Sequence, residues 1–245
     1  MAGAPEAKGD TVTETKPLAI VAKKNTVGTA EVYLYGDIGG YEGVTAETFR
    51  AAIDSLGDFK ALTMYVNSPG GSVFDGKAIV AQIERVMERA KVTAVIDGLA
   101  ASAASFVAVS CSEVVMHASA KMMIHLPYAM AAGGAEDFRK MAELLDSEAD
   151  SLIAVYAKKS GKKPDDVRAM MDAETWMTAE EAVKHRFADR IAGADKPKNA
   201  ASPFAALVSQ TKTITNTDNV RRLARVGQAQ RVVETMRAQV PSNTK

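Results

Sequence analysis

Short apolar runs alternate with stretches of helical period through the first half of the chain. EVYL at residues 31–34 is the first run. The loop DIGGYEGVT then leads into a stretch in which Phe49, Ala52, Ile53 and Leu56 share one side of a helix, predicted over 45–55. A second run, ALTMYV at 61–66, predicts a strand closed by a tight turn, NSPGGS. A helix over 73–89 follows it, carried by Ala78, Ile79, Ile83 and Val86. The third run, VTAVI at 92–96, is apolar and β-branched, as a strand covered on both faces should be. DGLAAS then opens a helix of small residues over 101–109. Further short strands are predicted at 113–116 and 121–124. The longest helical pattern spans 136–159, lined by Phe138, Met141, Leu144, Leu145, Leu152 and Val155, and shorter helices follow at 165–171 and 179–185.

Three strand-turn-helix units in succession predict an α/β fold with mostly parallel pairing. Sheets of that kind carry functional groups on loops beyond the carboxyl ends of their strands. Three segments meet that description: NSPGG, GLAAS and IHLP.

Composition and charge narrow the partners. The 245 residues are 47% hydrophobic, enough for one core with tails. Thirty basic residues balance thirty acidic ones, which removes the whole-chain electrostatic case for a nucleic acid or an anionic membrane. The single cysteine, Cys111, allows neither an internal disulfide nor a Cys-rich zinc site. Glu6, Asp10 and Glu14 stand in an N-terminus without an apolar block, so it does not read as a secretory signal. The most apolar stretch, 92–109, contains Asp97 and several Ser, Gly and Ala, a poor fit to a membrane span. The expectation is a soluble, cytoplasmic protein. Its organisation reads as a flexible arm over 1–26, a core domain over 27–191, a polar linker over 192–219 and a basic helical tail over 220–245. Residues 211–245 hold seven Lys or Arg against two Asp or Glu, a pattern suited to docking or to a solvated end.

The three segments suggest acyl transfer. Ser102 lies six residues past the predicted end of an apolar strand, at the start of a helix whose first N–H groups can receive negative charge. A serine needs a base, and of the three histidines His125 sits at a strand end, as the serine turn does. His117 is also near a strand end, whereas His185 falls in a polar KHR run. The glycines of NSPGG can present backbone N–H groups to an oxyanion. Each feature has a plainer reading: Ser102 and Ser105 as small residues for close helix packing, the glycines as turn formers, His125 as a structural group.

YVNSPGG, DGLAASAAS, MMIHLP and ETWMTAEEAVKHRFADRI, in that order, resemble the Clp protease proteolytic subunit (ClpP-like) family, and within it the head maturation proteases of phages and prophages. The resemblance covers roughly residues 32–191. It implies a crotonase-like spiral of βαβ units with a protruding helical handle, matched here by the 136–159 pattern. It also implies a serine endopeptidase enclosed in a homo-oligomeric ring, heptameric or stacked in pairs, that acts on polypeptides without metal, cofactor, nucleic acid or membrane. Carried onto this chain, the nucleophile is Ser102, the base His125, and the oxyanion donors the N–H groups of Gly71 and Ala103. The family's third member is an aspartate two residues before an aromatic; here Glu174 stands two residues before Trp176, with Asp172 as the alternative. The phage-like branch implies prohead or scaffold proteins as substrates. A ring-forming assembly protein without activity, a housekeeping Clp-type protein-quality protease and a crotonase-like acyl-CoA enzyme are the competing readings.

Overall fold

The computed structural model describes residues 20–24 and 28–194. The linker beyond residue 194 and the basic tail lie outside the described residues. Five segments pair in chain order to begin the fold: β1 (Ile20–Lys24), β2 (Thr29–Ile38), β3 (Ala61–Gly71), β4 (Lys91–Ala101) and β5 (Glu113–Met116). Helix α1 (Ala46–Ser55) links β2 to β3, α2 (Val73–Met87) links β3 to β4, and α3 (Ala103–Val109) links β4 to β5. The β2–β3, β3–β4 and β4–β5 pairs are parallel, as crossover helices require, while β1 is antiparallel to β2. Strand β1 lies within the segment expected as the 1–26 arm: its five residues IVAKK pair antiparallel along one edge of β2, and Ile20 is buried there.

Both central strands run further than their apolar stretches. NSPGG is no tight turn: β3 stays extended to Gly71, paired with β2 through Asp37–Gly70 and Ile38–Gly71 after a register shift. Likewise β4 continues through DGLAA, so Ser102 follows directly on the strand rather than six residues past it. Glycine, proline and serine weaken a strand signal locally, but here neighbours on the sheet supply the pairing. The faces also differ from expectation. Along β4, Val92, Ala94 and Ile96 are buried, whereas Thr93 and Val95 are half-buried, so only one face is sealed.

The length of β4 creates a fork. Its first half, Thr93–Ile96, pairs with β5, and its second half, Leu99–Ala101, pairs with β6 (Lys121–Ile124). Helix α4 (Ala135–Ser160) then packs only its C-terminal half, burying Ala149, Leu152, Ile153 and Tyr156. Its N-terminal half is exposed, including Phe138 and Leu144. Gly161, at φ 67°, ends it in the left-handed conformation that glycine adopts without a Cβ clash. After α5 (Pro164–Asp172), strand β7 (Thr175–Thr178) returns antiparallel to β6. Helix α6 (Ala179–Lys184) and β8 (Arg190–Ile191), parallel to β5, complete the chain. Neither β7 nor β8 is among the strands the sequence predicts: TWMT buries only Met177 between threonines and an exposed Trp176, so it lacks the apolar run of EVVM and KMMI, and β8 has only two residues. Among the described residues no helix is long and apolar enough to cross a membrane.

Candidate active site

The fork in β4 brings a serine and a histidine together. Ala101 pairs with Met123 across the β4–β6 ladder, and the Ser102 N–H donates to Met123 O at 3.0 Å. His125 stands one residue past the end of β6. Its Nε2 lies 2.7 Å from Ser102 Oγ, a hydrogen bond in which the hydroxyl donates when the imidazole carries its proton on Nδ1. Ser102 itself has φ 54° and ψ −129°, a backbone conformation costly for any residue but glycine. That conformation turns the chain from extended strand into α3 within one residue. The Ala103 N–H opens α3, where backbone donors lack partners within the helix.

The SPGG segment abuts this turn. A Cβ placed on Gly70 would lie 2.5 Å from Ala101 O and 2.8 Å from both Ala103 N and Ser102 Cβ. Only glycine permits that approach, and its φ of +92° fits no other residue well. Ser68, fully buried, accepts from the Gly70 N–H at 3.1 Å and fixes the bend. Gly71 follows with its Cβ position blocked by Ile38 O at 2.1 Å.

His125 is half-buried, and burial holds its imidazole below the ordinary histidine range. The charge of Glu174 acts in the opposite direction. The ladder register explains why. Ile124 faces Thr175 in the last pair of the antiparallel β6–β7 ladder, so Glu174, the residue before Thr175, and His125, the residue after Ile124, leave the ladder at the same end. Asp172 ends α5, two residues further back and exposed. Glu174 has φ 47° and its Oε1 accepts from the Trp176 indole N–H at 3.2 Å. A shallow pocket adjoins Ser102 and His125, lined by Val73, Phe106, Pro127, Leu152 and Tyr156. The Tyr128 ring meets the imidazole edge-on at 5.6 Å.

The other histidines stand elsewhere. His117 follows β5 on the other branch of the fork, where its Nδ1 pairs with Ser119 Oγ at 2.8 Å. His185 caps the C-terminus of α6 and is half-buried rather than exposed. Two residues named in the sequence make contacts that the sequence does not announce. Ser105 is fully buried and its Oγ lies 2.8 Å from the Tyr156 hydroxyl, a contact across 51 positions that no local pattern could announce. Trp176 is an aromatic landmark in the sequence, and in the structure its indole N–H donates to the Glu174 carboxylate.

The description of the Clp protease family matches residues 41–195. The chain is 31% identical over 162 residues to the ATP-dependent Clp protease proteolytic subunit of Bacteroides fragilis, covering 65% of this chain and 77% of that protein. It is 33% identical over 143 residues to the subunit of the same name from Streptococcus pneumoniae, covering 57% of this chain and 72% of that one. With more than half its length matched and the α/β sheet in place, the chain belongs to the Clp protease family.

Proposed function

We propose that this chain is a serine endopeptidase in which Ser102 attacks the peptide carbonyl. The observation that carries the proposal is the 2.7 Å approach of His125 Nε2 to the hydroxyl of a serine held in a strained strand-to-helix turn. Burial favours neutral imidazole, the form able to accept the serine proton. As Ser102 Oγ bonds to the carbonyl carbon, its proton passes to Nε2. The carbonyl oxygen becomes an oxyanion facing the Gly71 and Ala103 N–H groups, a role supported by the contact of the SPGG segment with the serine turn. The imidazolium then protonates the departing amine. Water, giving its proton to the same nitrogen, releases the acyl group and restores Ser102. Glu174 orients the imidazole by accepting from Nδ1 and favours imidazolium by its charge.

Two broader statements accompany the mechanism. Assembly is a closed homo-oligomeric ring around these sites, in which the exposed half of α4 serves as the handle of a ClpP-type spiral fold. The relatives' names support a Clp-type protease that degrades polypeptides with an ATP-driven partner over the narrower reading, processing of phage prohead or scaffold proteins, which rests on motif resemblance alone.

Hydrolysis of an unstructured polypeptide by the purified oligomer tests the proposal. Wild type should cleave it and Ser102→Ala should assemble normally without cleaving it. Equal cleavage by both proteins would remove Ser102 from the reaction.

A further inference from the structure

The buried hydroxyl of Ser105 has more to do than pack a helix. It lies 2.7 Å from Ser102 O, 2.8 Å from Met123 O and 2.8 Å from the Tyr156 hydroxyl. Carbonyl oxygens only accept, so the single Ser105 proton is directed at the two carbonyls. Tyr156 must then be the donor to Ser105 Oγ. The resulting relay runs from α4 through Ser105 to two points of the site. One is the carbonyl of Ser102 itself, whose φ of 54° must be held by its surroundings. The other is the carbonyl two residues before His125, on the strand that carries the base.

We infer that Ser105 and Tyr156 are positioning residues that clasp the strained Ser102 turn to the His125 strand and so set the distance between nucleophile and base. The inference rests on the proposed roles of Ser102 and His125. Its physical reason is the location of the clasp. Met123 O already accepts the Ser102 N–H at 3.0 Å, and the Ser105 hydroxyl adds a second donor to the same oxygen while also holding Ser102 O. One hydroxyl thus bonds both sides of the β4–β6 junction. Tyr156 and Met123 are buried and Ser105 itself is fully buried, so on those two sides water cannot replace the hydroxyl. Tyr156 also lines the pocket, so Tyr156→Phe, which keeps the ring, separates loss of the hydroxyl from loss of the pocket wall.

The experiment compares kcat and KM for a fluorogenic peptide in wild type, Ser105→Ala, Tyr156→Phe and the double variant, below the melting temperature of each and with oligomeric state checked. Ser102→Ala is run beside them. If it keeps wild-type activity, the reading of the site fails, independently of the clasp. With that control inactive, Ser105→Ala should lose roughly tenfold to a hundredfold in kcat, as expected for a misplaced reacting group, with KM within about twofold. Tyr156→Phe, which keeps the ring and is the less disruptive change, should lose a smaller factor of roughly three to ten in kcat. The double variant should be no worse than Ser105→Ala, because Tyr156 acts through Ser105. Unchanged kcat in folded Ser105→Ala or Tyr156→Phe would overturn the inference. So would losses that multiply in the double variant, or a loss confined to KM.

Discussion

Glu174 and His125 leave the β6–β7 ladder at the same end, next to its last pair, Ile124–Thr175, and the Glu174 charge acts on the imidazole. That register separates Glu174 from Asp172, which sits two residues back at the end of α5. Glu174→Gln should therefore lower peptide hydrolysis strongly, by up to about 10⁴-fold as in a well-formed triad. Glu174→Asp should keep substantial activity and Asp172→Asn nearly all of it. Parallel rate measurements on the three folded variants check this. A crippling Asp172→Asn with a silent Glu174→Gln would move the carboxylate role two residues.

The pH dependence follows from the burial of His125. Its imidazole titrates below the ordinary 6.5, so the acid limb of kcat/KM should fall below pH 6.5. Removing the Glu174 charge takes away what favours imidazolium. The limb of Glu174→Gln should thus move to still lower pH even as the rate drops. Stability obeys the same logic: the neutral folded histidine contributes fully above 6.5, and that contribution is lost as pH falls from 6.5 through the folded value. Rate profiles for both proteins read the shift, and a limb moved upward would contradict it.

Much of this arrangement is legible in the sequence where one residue type has one physical use. Apolar periodicity places β3, β4, α2 and α4, and the strand-end rule selects Ser102 and His125. It fails where pairing comes from distant neighbours. SPGG and GLAA carry turn residues yet remain in the sheet, and TWMT in β7 is extended only because β6 lies beside it. The same reason hides Ser105, whose small polar side chain fits a packing role until Tyr156 arrives from α4.

Strain at Ser102 predicts a trade between activity and stability. Ser102→Gly and Ser102→Ala both remove the hydroxyl, but only glycine relieves φ 54°. The glycine variant should be the more stable of the two by about 1 kcal/mol, within the usual range for such strain. Thermal or chemical unfolding of the two inactive proteins measures the difference. Equal stability would mean that the turn is not strained.

Gly70 should tolerate no side chain. Alanine there would meet Ala101 O, Ala103 N and Ser102 Cβ, and would push SPGG away from the serine turn. Gly70→Ala is expected to reduce kcat by about a hundredfold, the scale of an ångström-level displacement. Gly40→Ala, with open space at its Cβ position and a similar φ of +76°, controls for backbone strain alone and should retain most activity. Matching losses in the two variants would assign the effect to strain and not to the site.

The central claim is that Ser102 is an activated nucleophile. Treating the native oligomer with a fluorophosphonate and locating the adduct by peptide mass spectrometry tests it most directly. The account predicts modification at Ser102, faster at pH 8 than at pH 5 and absent in Ser102→Ala. An unmodified Ser102 in folded, assembled protein, or an adduct on Ser105 instead, would contradict it.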